Sequence, residues 1–144
     1  MCGEIDEEAA VGQELIERFT VLAGMLGLKP DDAAPGGAPG LATSGDRAAY
    51  MEALFRAGLG RALTDATAAD DAEKVDAIAA QAVAFARLAG FLAGQLPPEA
   101  DLFRSVIEAA TQGYGEPQRL ERDWRHAQDH AHGHSHDHDH DHHH

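Results

Sequence analysis

Cysteine is almost absent from this sequence. The single cysteine, Cys2, excludes an intramolecular disulfide framework. Residues 1–13 are acidic and lack the basic region and apolar stretch of a signal peptide. No uninterrupted apolar run approaches the roughly 18 residues that a membrane span needs. From these absences we expect a cytoplasmic protein without a membrane-spanning segment.

Basic residues are also scarce. The 144 residues include 25 acidic and 11 basic side chains, which gives a formal charge of −14. Residues 129–144 contribute four Asp and no Lys or Arg, so the rest of the chain still has a net charge of −10. Such a chain repels the phosphate groups of nucleic acids and anionic lipid headgroups. We therefore expect neither nucleic acid nor a membrane surface as a partner.

Aromatic residues make up only 6% of the chain, although 44% of all residues are hydrophobic. Alanine is the dominant apolar residue, and it favours helices over strands. The sequence therefore predicts an all-α fold, a small antiparallel bundle of four main helices with a short charged fifth helix. The predicted domains are a helical domain with a core over residues 1–128 and a disordered histidine-rich tail over residues 129–144.

Apolar spacing predicts where the first three helices lie. The first covers residues 5–28, with Gly27, Lys29 and Pro30 as its stop signal. A Pro- and Gly-rich loop or linker follows at residues 30–45. The second helix covers residues 46–63, with Asp46 as its N-cap, and polar residues 64–71 connect it to the third. The apolar positions of these helices, spaced three and four apart, are Leu15, Phe19, Leu22 and Leu26 in the first, Tyr50, Leu54 and Ala57 in the second, and Val75, Ile78, Ala82, Phe85, Ala89, Leu92 and Leu96 in the third.

Capping and stop signals predict the remaining boundaries. Asp70 and Glu73 resemble a capping box before the third helix. Pro98 is predicted to open the fourth helix, which then stops at Gly113 and Gly115. The short fifth helix covers residues 116–128, and its only large apolar side chains, Leu120 and Trp124, are predicted to dock on the bundle.

All ten histidines lie at the C-terminal end of the chain. From residue 130 to residue 142 they occupy every second position, which places all those rings on one side of an extended strand. In a helix, the histidines four residues apart share one face instead. Either conformation offers pairs of rings that can chelate a metal ion. The candidate metal ligands are His126, His130, His132, His134, His136, His138, His140, His142, His143 and His144.

Imidazole is a preferred protein ligand for Ni²⁺, Zn²⁺, Co²⁺ and Cu²⁺. The interleaved Asp137, Asp139 and Asp141 can accept the free ring N–H or act as weaker oxygen ligands. The sequence predicts metal storage, buffering or chaperone-type delivery, with the identity of the metal left open. An engineered purification tag is usually an unbroken histidine run, and only His142–His144 form one, so the origin of these last residues stays open.

In composition, residues 126–144 resemble the histidine-rich ends of nickel metallochaperones that serve urease and hydrogenase maturation. The resemblance implies nickel handling for the tail, and it does not extend to the helical body. No catalytic constellation appears, because no histidine precedes His126, so we do not expect an enzyme. The alternative function is a helical protein–protein interaction module or a self-associating bundle, which uses its helix faces and has an incidental tail.

Overall fold

The computed structural model describes residues 3–29 and 40–133 of the chain. These residues form helices and turns and contain no strand, which confirms the all-α class; the antiparallel bundle stays a prediction. The chain divides after Pro97 into two compact units. The domain boundary predicted at residue 128 also stays a prediction. In the described ranges the helices are α1 (Gly3–Met25), α2 (Ser44–Ala68), α3 (Lys74–Ala93) and α4 (Leu102–His132), with short 3-10 turns at Asp71–Glu73 and Pro98–Ala100.

Helix α1 ends at Met25, three residues before the predicted end, and Gly27, one of the predicted stop residues, closes it. Gly27 has a φ of 76°, in the left-handed region that glycine adopts without strain. The Leu28 N–H donates to the Ala23 carbonyl at 2.9 Å, and the Gly27 N–H donates to the Gly24 carbonyl at 3.0 Å. These are the two bonds of a Schellman motif. Residues 30–39 of the predicted loop lie outside the described residues.

The start of α2 differs from the prediction. Thr43, rather than Asp46, is the N-cap, and its side-chain oxygen accepts a hydrogen bond from the Asp46 N–H at 3.0 Å. Asp46 lies in the first turn, where its carboxylate is close to the positive end of the helix dipole. The prediction was wrong because a threonine three residues earlier offers the same capping chemistry.

The end of α2 lies five residues beyond the predicted end at residue 63. Thr64 and Thr67 continue the helix, and their hydroxyls donate to the carbonyls of Gly60 at 2.9 Å and Leu63 at 2.6 Å. Because each hydroxyl bonds to a carbonyl one turn earlier, its hydrogen-bonding capacity is satisfied while the backbone stays helical. The connection to α3 is therefore shorter than the predicted one.

Lys74 joins the end of α2 to the start of α3. Its ammonium group donates to the carbonyls of Ala66 at 3.1 Å, Thr67 at 3.2 Å and Ala69 at 2.9 Å. These carbonyls belong to the last turn of α2, where the helix leaves carbonyl groups without partners. The predicted capping box is wrong, because the Asp70 side chain makes no capping bond. A basic side chain satisfies the end of the preceding helix instead.

Replacing Lys74 by methionine should lower the free energy of unfolding by about 1–3 kcal/mol, because it leaves partly buried carbonyls without a charged donor. Methionine retains most of the apolar stem, so the loss reports on the hydrogen bonds. Urea unfolding followed by circular dichroism measures the change. Lys29→Met is the control, since Lys29 makes no hydrogen bond or ion pair to the described residues. Equal stability of both variants and the parent protein would contradict this role.

The helices α2 and α3 form a hairpin with a mostly apolar contact face. The α3 side of its open groove, including Ile78 and Phe85, belongs to the face that the sequence spacing predicts. At the polar edge of this face, the Asp65 carboxylate accepts from Gln81 Nε2 at 3.0 Å and from Arg61 Nε at 2.7 Å. The full lining of the groove is Leu54, Phe55, Gly58, Leu59, Ala62, Ile78, Gln81, Ala82 and Phe85.

Helix α4 is one continuous helix of 31 residues, so the predicted break between a fourth and a short fifth helix is wrong. Gly113 and Gly115 each lower the stability of a helix by about 1 kcal/mol, and Pro117 within α4 lowers it by about 3 kcal/mol. Pairs of opposite charge one turn apart support the helix on both sides of the proline. They are Arg104 with Glu108 at 3.7 Å, and Arg125 with Glu121.

The start of α4 also differs from the prediction. Pro98 opens the 3-10 turn Pro98–Ala100, and α4 begins only at Leu102. Asp101 separates the two with a left-handed backbone at φ 49° and ψ 34°. Aspartate is one of the few non-glycine residues that adopt this conformation at modest cost. The turn therefore reorients the chain before α4, and Pro98 does not form part of that helix.

No described side chain is buried, so the core expected for the helical domain is absent from the described residues. Val83 on α3 is 71% exposed, for example, and Leu63 on α2 is 70% exposed. The physical reason lies in the alanine content. Alanine stabilises the helices themselves but buries little apolar surface where two of them meet. Each helix consequently keeps an apolar face in contact with solvent.

One segment of the described chain, Asp71–Ala93, is long and apolar enough to cross a membrane by length and composition alone. It consists of the 3-10 turn Asp71–Glu73 and the helix α3, and none of the tested part is buried. The sequence expectation of no membrane span, which considered only uninterrupted apolar runs, stays a prediction. Several charged residues, Asp71, Glu73, Lys74, Asp76 and Arg87, lie in this segment.

Candidate metal site at the end of the last helix

The last turns of α4 carry the first three histidines of the chain. His126, His130 and His132 are all exposed, and α4 ends at His132. The Gly133 N–H donates to the Asp129 carbonyl at 3.1 Å and closes the final turn. Disorder predicted from residue 129 onward is therefore wrong for residues 129–132. Ala127, Gln128 and Ala131 are helix-compatible residues that extend α4 into the tail.

The helix brings His126 and His130 onto one face. Four residues advance the helix by about 6 Å and by slightly more than one turn, so these two rings are neighbours. His132 is two residues further along, which turns it about 200° away from His130. The structure therefore places His126 and His130 on one face of α4 and leaves His132 on another face. This is the helical arrangement that the sequence analysis considered beside the extended one.

The charges around this pair favour a cation on its C-terminal side. The last turn of a helix carries the negative end of the helix dipole, which attracts positive ions. Asp129, between the two histidines in sequence, adds a carboxylate near the same face. Arg122 lies one turn before His126 on that face and repels cations. Negative charge therefore increases toward the end of α4.

His126 and His130 form only part of a coordination sphere. Within residues 3–29 and 40–133, no group of three or more His, Cys, Asp or Glu residues could hold a metal ion. Structural Zn²⁺ sites generally use four ligands, so a helical pair needs further donors. The remaining predicted ligands lie outside the described residues and are His134, His136, His138, His140, His142, His143 and His144.

The docking of Leu120 and Trp124 on the bundle stays a prediction. Leu120 is 68% exposed and Trp124 is 59% exposed. They are the only large apolar side chains in a highly charged stretch of α4, and two side chains bury too little surface to fix such a helix. The indole is therefore a solvent-facing reporter close to the histidine pair.

No family model matches the chain, and no curated protein or solved structure matches it either.

Proposed function

We propose that the protein binds divalent transition-metal ions in the cytoplasm through its histidine-rich segment, residues 126–144. Ni²⁺, Zn²⁺, Co²⁺ and Cu²⁺ are the ions whose ligand preferences fit this segment. The observation that carries the proposal is the pair His126 and His130 on one exposed face of α4. The alternating histidines follow this pair directly in the sequence. Storage, buffering or delivery of the metal is the cellular role that this chemistry suits.

The helical pair provides a starting point for coordination. Two neutral imidazoles bind an ion at the end of α4, and histidines from residues 134–144 fill its other positions. A single rigid cage holds every residue between its ligands in one conformation, at a cost in backbone entropy of about 1–2 kcal/mol per residue. Several sites that exchange ions are therefore favoured over one permanent site. Exchangeable sites suit a protein that buffers a metal or passes it on.

A calorimetric titration with Ni²⁺ and Zn²⁺ tests the proposal. Ten histidines used two to four at a time should hold roughly two to five ions per full-length chain. A chain truncated after Gln128 retains only His126 and should hold none or one. The full-length variant Asp137→Asn/Asp139→Asn/Asp141→Asn is the control, and it should keep most of the metal-binding sites. Equal stoichiometry in the full-length and truncated chains would overturn the proposal.

The second candidate function is that of a helical protein–protein interaction module. The unburied apolar faces of α1, α2 and α3 favour it, because exposed apolar surface is characteristic of surfaces that bind partners. In that case the histidine-rich tail is incidental to the main role. Removal of residues 129–144 tests the two roles separately, since it should remove most metal binding and leave the association of the helices unchanged.

A further inference from the structure

The side of α3 that faces away from α2 forms an outer face with an unusual charge pattern. Asp76 and Arg87 mark its two ends, and the ten residues between them contain no charged side chain. Eleven residues correspond to three helical turns plus about 20°, so both charges lie on the same side of α3, about 16 Å apart along its axis. Ala80 and Val83 lie between them on that side. The outer face is thus defined by Asp76, Ala80, Val83 and Arg87.

This outer face is open to solvent. Val83 is 71% exposed, and Asp76, Ala80 and Arg87 are exposed as well. Neither Asp76 nor Arg87 makes a hydrogen bond or ion pair with any residue in the described part of the chain. Ala80, Val83 and Arg87 also line an open groove of about 530 Å³ beside the end of α1. A charged pair with no local partner therefore flanks an exposed apolar strip.

We propose that the outer face binds the outer face of a second copy of this chain, with the two α3 helices antiparallel. A two-fold contact that pairs residue i with residue j also pairs j with i. If the axis passes midway between residues 81 and 82, Asp76 faces the partner's Arg87, and Arg87 faces the partner's Asp76. The same register places Val83 against the partner's Ala80. One alignment therefore matches both the charges and the sizes of the side chains.

Charge complementarity selects a second copy over other occupants. The chain as a whole carries −14, so most of its surface repels another copy. The outer face is an exception, because its one acid and one base cancel. Opposite charges at equal distances from a two-fold axis fix an antiparallel register, while like charges would oppose a parallel one. Small alanines at Ala80 and Ala84 let two helix backbones approach closely.

This inference rests on the second candidate function and names its partner.

Sedimentation equilibrium of the full-length chain should show a concentration-dependent dimer of the 15.3 kDa protein. Arg87→Glu and Asp76→Arg should each weaken dimerisation by about tenfold or more, because each places two like-charged pairs in the contact. The double variant Asp76→Arg/Arg87→Glu should return to within about threefold of the parent protein, because both attractive pairs are restored.

The rescue is specific to contact between copies, since positions 76 and 87 are too far apart to pair within one helix. Arg56→Glu is the matched control, because Arg56 on α2 has a side chain 77% exposed and pairs with Glu52 of its own helix. This variant should dimerise like the parent protein, and circular dichroism checks the helicity of every variant. A monomeric parent protein, a double variant as weak as the single ones, or an equally weakened control would each overturn the proposed dimer. The titration of the tail would still decide metal binding independently.

Discussion

Lowering the pH from about 7.5 to about 5.5 should weaken Ni²⁺ binding to the full-length protein by about 100- to 1,000-fold. Imidazole binds a metal ion only in its neutral form, and its pKa in model peptides is about 6.5. Across this pH range the neutral fraction of such an imidazole falls about tenfold. A site with two imidazoles therefore loses about 100-fold in affinity, and a site with three loses about 1,000-fold.

Competition with a chromophoric chelator at each pH measures this change, after correction for the protonation of the chelator. The full-length variant with Asn at Asp137, Asp139 and Asp141 should show nearly the same loss. Carboxylates in model peptides titrate near pH 4 and stay ionised over most of the range. Affinity that stays constant down to about pH 5 would show that carboxylates, and not histidines, hold the metal.

Zinc should slow amide hydrogen exchange in the last turns of α4 by up to about 100-fold when free Zn²⁺ exceeds the dissociation constant about 100-fold. The reason is geometric. His126 and His130 are neighbours only while the chain between them is helical, so an ion held by both rings stabilises the closed helix over its locally open form. Zinc suits the measurement because its filled d shell leaves the NMR signals sharp.

An exchange of two neighbouring residues provides a composition-matched control for this effect. The variant Arg125→His/His126→Arg keeps every side chain but moves one ring five residues from His130, which places it on another face. The slowing of exchange across residues 126–130 should largely disappear in this variant. Equal slowing in both proteins would show that the helical pair contributes nothing to the site and that the distal histidines act alone.

The sequence predicts the elements best where a strong period and an unambiguous stop signal coincide. The apolar repeat of α3 from Val75 to Leu92 and the left-handed Gly27 after α1 are examples, although Leu96 lies beyond the end of α3 at Ala93. The errors lie where several weak preferences compete. Thr64 and Thr67 look like loop residues, yet their hydroxyls bond back into α2. Pro117 and its neighbouring glycines look like a break, yet α4 continues through them, and the charge pairs on the flanking turns offset only a small part of their cost.

Burial could not be predicted from the periodic stripes. An apolar stripe identifies the helix face that can become buried, but it does not show how much of that face a neighbouring helix covers. Phe19 and Phe91 illustrate this, because their rings meet edge to face at 6.3 Å while Phe91 remains 38% exposed. For the candidate site, the sequence predicted the candidate ligands and considered both spacings, and the structure adds that His126 and His130 lie on a helix.

The short connection between α2 and α3 also has a consequence for the order of folding. Lys74 bonds to carbonyls only five to eight residues away, and Gln81 meets an aspartate 16 residues away. Contacts between residues so close in sequence cost little loop-closure entropy and form rapidly. The α2–α3 hairpin can therefore assemble while the ribosome is still adding α4. It would emerge from synthesis already carrying the outer face of α3, while the histidine-rich segment is still being made.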